Sequence, residues 1–122
     1  MNTAQPFVGT WRVIEMDVWD KCVLDIVGPA YFRFRKDGFG KFWCIEIDGE
    51  MDCRFGARDG KPLVEFSWLG YDGNRPTSGR GWAVVDGDAM TGRIFFHGAD
   101  DSAFAAKRGE VEKKRTRATR KR

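Results

Sequence analysis

Residues 36–49 read KDGFGKFWCIEIDG and contain two Asp-Gly pairs, at Asp37-Gly38 and Asp48-Gly49. Asp-Gly favours the tight turn of a β-hairpin, because both residues tolerate the left-handed backbone conformation that the turn requires. Apolar and polar residues alternate between the two pairs, as they do in a strand with one buried face. The stretch therefore predicts one strand with a turn at each end.

The same dipeptide recurs at Asp59-Gly60, Asp72-Gly73 and Asp86-Gly87. Eight consecutive hairpin-linked strands can close on themselves and remove both sheet edges. We therefore predict an all-β, up-and-down antiparallel barrel, with an open sheet covered by a helix as the alternative. The eight apolar or alternating stretches lie at about 7–16, 30–36, 39–47, 50–58, 61–69, 78–85, 89–97 and 102–108.

One short helix is expected between strands 1 and 2. Across residues 17–28, DVWDKCVLDIVG, apolar side chains recur at helical spacing from Trp19, Asp20 can cap the start, and Gly28-Pro29 ends the run.

The hairpin turns predict which residues share the inner face. Two-residue turns at Asp48-Gly49 and Asp59-Gly60 would both place Cys53 inside, and the first would set it opposite Cys44. A three-residue loop at 36–38 keeps the same face, with Gly38 as its left-handed residue. A similar loop at 86–88 would turn Arg80 and Trp82 inward.

The chain has 122 residues and a net charge of +3, which suits one domain. Residues 109–122 hold seven Lys or Arg and two Glu, so residues 1–108 carry a net charge of −2. We predict a barrel domain over 1–108 and a basic tail over 109–122. Residues 113–122 would contact nucleic acid or an anionic surface weakly and in a salt-sensitive way, although a merely solvated tail is the more frequent case.

A reducing, cytoplasmic location is expected, because the N-terminus has no signal-peptide pattern and the Cys count is odd. The cysteines at 22, 44 and 53 have no zinc-ligand spacing, and no apolar run is long enough to span a membrane. No cofactor is expected.

His97, the only histidine, precedes Asp100, Asp101 and Ser102. His, Asp and Ser side chains can support metal binding or nucleophilic catalysis, but either function needs side chains that converge from separate segments of the chain. A hairpin loop whose Asp side chains accept backbone hydrogen bonds is the favoured interpretation, and His97, Asp100 and Asp101 remain a weak metal candidate.

The predicted register turns Glu46 and Arg80 inward, beside an aromatic interior that includes Trp68 and Trp82. These four residues could bind a small apolar ligand, or Glu46 and Arg80 could form a structural bridge in a filled barrel. On the outer face, the register groups Trp43, Ile45 and Ile47 in an apolar patch that a partner protein or a homodimer would cover.

The first strand, FVGTWRVIE, carries Gly9-Thr10-Trp11 ahead of a helical segment and a meander. This start resembles the calycin superfamily of lipocalins, avidins and fatty-acid-binding proteins. The resemblance implies that Trp11 closes the barrel floor and that Lys107 or Arg108 packs across it. The Arg-x-Tyr clamp of fatty-acid-binding proteins does not occur in this sequence, which argues against lipid transport. Aromatic side chains could fill so small an interior, so any remaining cavity would suit a small ligand better than a fatty acid.

Together these features predict a non-enzymatic binding module for a small apolar ligand or a protein partner. The alternative is an adaptor that binds nucleic acid or an anionic surface through the basic tail.

Overall fold

The computed structural model describes residues 3–17 and 28–109, which form a closed barrel of eight antiparallel strands in sequence order. Strand β8 pairs with β1, so every strand has a neighbour on each side. The strands are β1 (Gly9–Met16), β2 (Tyr31–Phe34), β3 (Phe39–Cys44), β4 (Ile47–Arg58), β5 (Lys61–Asp72), β6 (Arg75–Asp86), β7 (Ala89–Phe96) and β8 (Asp101–Arg108).

The all-β, up-and-down, closed architecture predicted from the sequence is confirmed. The predicted helix falls mainly on 18–27 and the predicted tail on 110–122, both outside the described residues.

Aromatic side chains fill the barrel, and inward-facing glycines make room for them. A Cβ on Gly49 would lie 2.4 Å from the Phe42 ring, and one on Gly81 would lie 2.5 Å from the Phe66 ring. Small residues opposite large ones thus produce the dense packing of a folded interior. The buried aromatic residues are Phe7, Trp11, Phe32, Phe34, Phe42, Phe66, Trp68 and Phe104.

Two of the predicted turns are confirmed. Arg58 pairs with Lys61 across the two-residue turn Asp59-Gly60, and both turn residues have positive φ. The loop at 36–38 has three residues, with Gly38 at a φ of 89°. There the Phe39 amide donates to the Asp37 carboxylate over 3.0 Å, which lowers the pKa of that carboxyl.

The predicted turn at Asp48-Gly49 is wrong. The chain turns at Ile45 and Glu46 instead, so Cys44 pairs with Ile47 while Cys53 pairs with Phe66. Gly49 belongs inside the barrel, where the Phe42 ring occupies the space of a side chain. The register differs from the predicted one by six residues, an even number, and most of the inner face is therefore unchanged.

The predicted loop at 86–88 is also wrong. Asp86 pairs with Ala89, so Gly87 and Asp88 alone form the turn. This odd shift turns Arg80 and Trp82 to the outer wall and puts glycine or alanine inside. The physical reason is space, because the rings of Phe66 and Trp68 already fill the interior next to β6.

Candidate functional site

The two ends of the barrel differ in what closes them. At the floor, the fully buried Trp11 donates its indole N–H to the Phe7 carbonyl oxygen over 2.9 Å. The Arg108 guanidinium carbon lies 4.1 Å from the Trp11 ring centroid, and its Nη atoms donate to the carbonyl oxygens of Val8 and Pro6. The structure therefore brings together Trp11 and Arg108, which the resemblance had paired.

At the opposite end, the mouth, a cavity of about 500 Å³ lies between the β5–β6 hairpin and the loop that joins β7 to β8. Both segments meet there because alternate connections of an up-and-down barrel share one end. The lining residues are Ile47, Asp72, Arg75, Pro76, Thr77, Ser78, Phe96, His97, Gly98, Ala99 and Asp100.

The base of the mouth cavity is apolar and firmly supported. Ile47 is buried, and Phe96 packs edge to face on Trp68 with the ring centroids 5.7 Å apart. Trp68 in turn meets Phe42 edge to face at 4.9 Å. The cavity thus rests on the aromatic core, which gives it a rigid apolar surface.

The rim of the mouth cavity is polar. The His97 amide donates to the Ser78 carbonyl oxygen over 2.8 Å, which ties the loop to β6. Two backbone hydrogen bonds close the loop. The Ala99 amide donates to the Phe96 carbonyl oxygen over 2.9 Å, and the Phe96 amide donates to the Asp100 carbonyl oxygen over 3.0 Å. Within the described ranges, no ion pair involves the carboxylates of Asp72 and Asp100. Among the residues that the structure describes, these side chains therefore remain available to a ligand.

The residues His97, Asp100 and Asp101 do not converge as a metal site would. His97 and Asp100 line the cavity, whereas the Asp101 carboxylate accepts a hydrogen bond from Arg93 on the outer wall. Over 3–17 and 28–109, no group of three His, Cys, Asp or Glu side chains is placed to hold a metal ion.

The four predicted ligand residues do not meet. Glu46 is exposed in the β3–β4 turn at the mouth, where its carbonyl oxygen accepts from the Gly73 amide. Arg80 lies over Phe95 on the outer wall at 4.5 Å, and Trp82 lies under Arg58 at 4.6 Å. Only Trp68 faces the interior, as part of the packed core.

The predicted partner surface is divided as well. Trp43 is half-buried on the outer wall, Ile45 is in the turn with a φ of 56°, and Ile47 is buried inside. No sequence pattern singles out Asp72, Arg75 or Thr77, because a rim formed by two separate loops leaves no spacing signal along the chain.

The two described cysteines are free, buried and distant from each other along the ladder. Burial raises the pKa of each thiol to about 12, with a further upward contribution from Asp72 at Cys44 and from Asp52 at Cys53. Such thiols are protonated and unreactive at neutral pH.

Comparisons of this chain with protein-family models, curated proteins and solved structures give no significant match. The described residues contain no helix with the length and hydropathy to cross a membrane.

Proposed function

We propose that this protein is a binding module that takes up a small amphipathic molecule in the mouth cavity. One observation carries the proposal: a cavity of about 500 Å³ with an apolar base and a polar rim. A volume of this size, with an apolar base and a polar rim, is typical of small-molecule sites. In such sites the apolar surface supplies affinity and a few polar groups fix the orientation of the ligand.

The filled interior limits the size of the ligand. Phe32 contacts Phe104 and Phe66 across the barrel, at centroid distances of 4.7 and 6.1 Å. A long acyl chain would have to displace these rings, whereas a molecule confined to the mouth would displace only solvent. The sequence predicted a small apolar ligand, whereas the ligand proposed here is amphipathic.

The rim chemistry favours a ligand with a polar head. Arg75, His97 and the hydroxyl groups of Thr77 and Ser78 can donate hydrogen bonds, while Asp72 and Asp100 can accept them. The apolar part of the molecule would lie against Ile47 and Phe96.

Ala99→Trp tests the site, because Ala99 is exposed on the cavity lining and an indole there would occupy the volume. The matched control is Ala89→Trp, an exposed alanine at the floor end. A fragment panel of small amphipathic molecules is screened by NMR against the unmodified chain, with a long-chain fatty acid as comparator. We expect hits that shift the signals of Ile47 and Phe96, and we expect Ala99→Trp alone to abolish them.

Trp68 supplies an independent signal, since Phe96 joins it to the cavity base. Hits should alter tryptophan emission in the unmodified protein and not in Trp68→Phe. Hits that bind Ala99→Trp unchanged, or a fatty acid that binds more tightly than every fragment, would refute the proposal.

A further inference from the structure

The outer wall of β1, β2 and β3 presents cations and aromatic rings side by side. Phe32, Phe34 and Phe42 are buried inside, so the residues between them face outward. We call the outward set the basic aromatic patch, and its members are Arg12, Tyr31, Arg33, Phe39, Lys41 and Trp43.

The strand register places these side chains next to one another. Tyr31 lies opposite Trp43 on β3 and opposite Arg12 on β1, while Arg33 lies opposite Lys41. Directly opposed side chains on neighbouring strands have Cβ atoms about 5 Å apart. Along β3, Phe39, Lys41 and Trp43 follow at two-residue steps, each about 7 Å. Rings and cations therefore alternate at spacings of about 5 to 7 Å, which suit the successive charged or aromatic units of a linear polymer.

Two cations of the basic aromatic patch lie directly opposite each other. Like charges directly opposite each other destabilise a sheet, and Arg33 faces Lys41 in this way. Arg33 is also fixed in position, because its Nε donates to Thr10 Oγ1 over 2.9 Å and its guanidinium lies 5.2 Å from the Tyr31 ring centroid. A phosphate between Arg33 and Lys41 would add to the compensation that Glu50, opposite Lys41 on β4, already gives, and the Arg33 side chain would not have to be ordered.

The neighbouring strands set the limits of the patch. On one side, Lys107 of β8 lies opposite Arg12 and extends the positive charge. On the other side, β4 turns Asp48, Glu50 and Asp52 outward, each opposite a β3 residue of the patch. These carboxylates repel a polyanion and confine it to the side of β8, β1, β2 and β3.

We propose that the basic aromatic patch binds single-stranded nucleic acid. Unpaired bases would stack on Tyr31, Trp43 and Phe39, while phosphates would contact Arg12, Arg33 and Lys41. Stacking surfaces interleaved with cations are the features that single-strand-binding proteins combine. A duplex, an anionic membrane or an acidic protein would use the cations but would have no stacking use for the three rings. This site is separate from the mouth cavity.

The test measures binding of a fluorescently labelled 12-nucleotide oligo-dT, and of the matching oligo-U, to the full chain by anisotropy. Trp43→Ala and Phe39→Ala are each expected to weaken binding roughly 5- to 100-fold, since stacking on one ring contributes that much per base. Phe39 is 48% exposed, so its replacement leaves the core intact. The control is Tyr71→Ala, which removes a ring that is 54% exposed outside the patch and should leave affinity unchanged.

A salt titration examines the phosphate contacts separately. Lys41→Gln should reduce the slope of log affinity against log salt concentration by about 0.7, the value for one phosphate contact on a single strand. Arg58→Gln, on another part of the wall, should leave the slope unchanged. Residues 113–122 are present in every variant, so their contribution to the slope is constant.

Three results would overturn the proposal. The first is unchanged affinity in both Trp43→Ala and Phe39→Ala. The second is equal or tighter binding of a DNA duplex, of vesicles containing anionic lipid, or of an oligo-glutamate peptide. The third is a slope that does not change in Lys41→Gln.

Discussion

The floor and the mouth of this barrel are closed by different chemistry. At the floor, Phe7 packs on Phe34 and Phe55 at 5.6 Å, and Arg108 covers Trp11 while it binds two carbonyl oxygens. At the mouth, loops with polar side chains surround a cavity. At the floor Trp11 is fully buried, whereas the mouth offers both volume and hydrogen-bonding groups.

The difference indicates that the floor contributes mainly to the stability of the barrel, whereas the mouth has the features of a binding site. The floor buries large side chains and connects residues far apart in sequence, which stabilises the closed form. The mouth leaves Asp72 and Asp100 without ion pairs in the described part of the chain, and that arrangement adds little stability but suits binding.

Trp11→Ala should have the largest effect. It removes a fully buried indole and leaves Arg108 without its ring, and we expect a loss of about 3 to 5 kcal/mol in the free energy of unfolding. Urea unfolding gives the measurement. Trp82→Ala, on the half-buried outer wall, is the matched control and should cost about 1 kcal/mol. Equal losses in the two variants would show that the floor has no special role.

Gly70→Ala should come next in size, and it acts near the mouth. Gly70 pairs with Gly49, and a Cβ on it would lie 1.7 Å from the Asp48 carbonyl oxygen, which is backbone and has no alternative rotamer. We expect a cost of about 1 to 3 kcal/mol from this overpacking.

The control for this prediction is Gly56→Ala, because a Cβ there would meet nothing within 4 Å. Its unfolding free energy should stay within about 0.5 kcal/mol of that of the unmodified protein. If both glycine variants were equally stable, close strand approach would not be needed to shape the mouth.

Alkaline pH should produce the smallest effect. The pKa of Cys44 rises from an ordinary value of 9.0 to about 12 in the folded protein, so the unfolded state releases the thiol proton first. The stability that the protonated thiol contributes is complete below pH 9 and is lost as the pH rises towards 12, by about 1.4 kcal/mol at pH 10.

Thermal unfolding between pH 8 and 10.5 measures the loss. Cys44→Ala, at the mouth, and Cys53→Ala, nearer the floor, should each flatten the pH dependence, since burial raises the pKa of both thiols. An unaltered slope in both variants would show that thiol ionisation does not limit alkaline stability.

Much of the fold was predictable from local patterns. Strand count and the Asp59-Gly60 hairpin follow from apolar alternation and from a dipeptide whose backbone preference is strong, whereas closure was favoured over an open sheet only because it removes both sheet edges. The pairing of Phe32 with Phe42 also followed, because only a three-residue loop kept both residues on one face.

The errors arose where two turns were locally plausible. Asp48-Gly49 looks like a turn, but Gly49 serves as space for the Phe42 ring, and the chain bends at Ile45 and Glu46 instead. On β6, Arg80 and Trp82 alternate with glycines, and this pattern is compatible with either set of residues facing the interior. The rings on β5 leave space only for the glycines inside, and the volume of those rings in the folded barrel cannot be read from the sequence.

Turn preferences and strand alternation act over a few residues, so the amino-acid sequence alone was enough to predict eight antiparallel strands and to favour a barrel over an open sheet. Where the binding groups meet follows from three-dimensional packing. The mouth cavity joins Asp72 on β5 to Asp100 in the β7–β8 loop, and the basic aromatic patch joins three strands. Both depend on register and closure, which are set by how rings and glycines share a fixed interior volume.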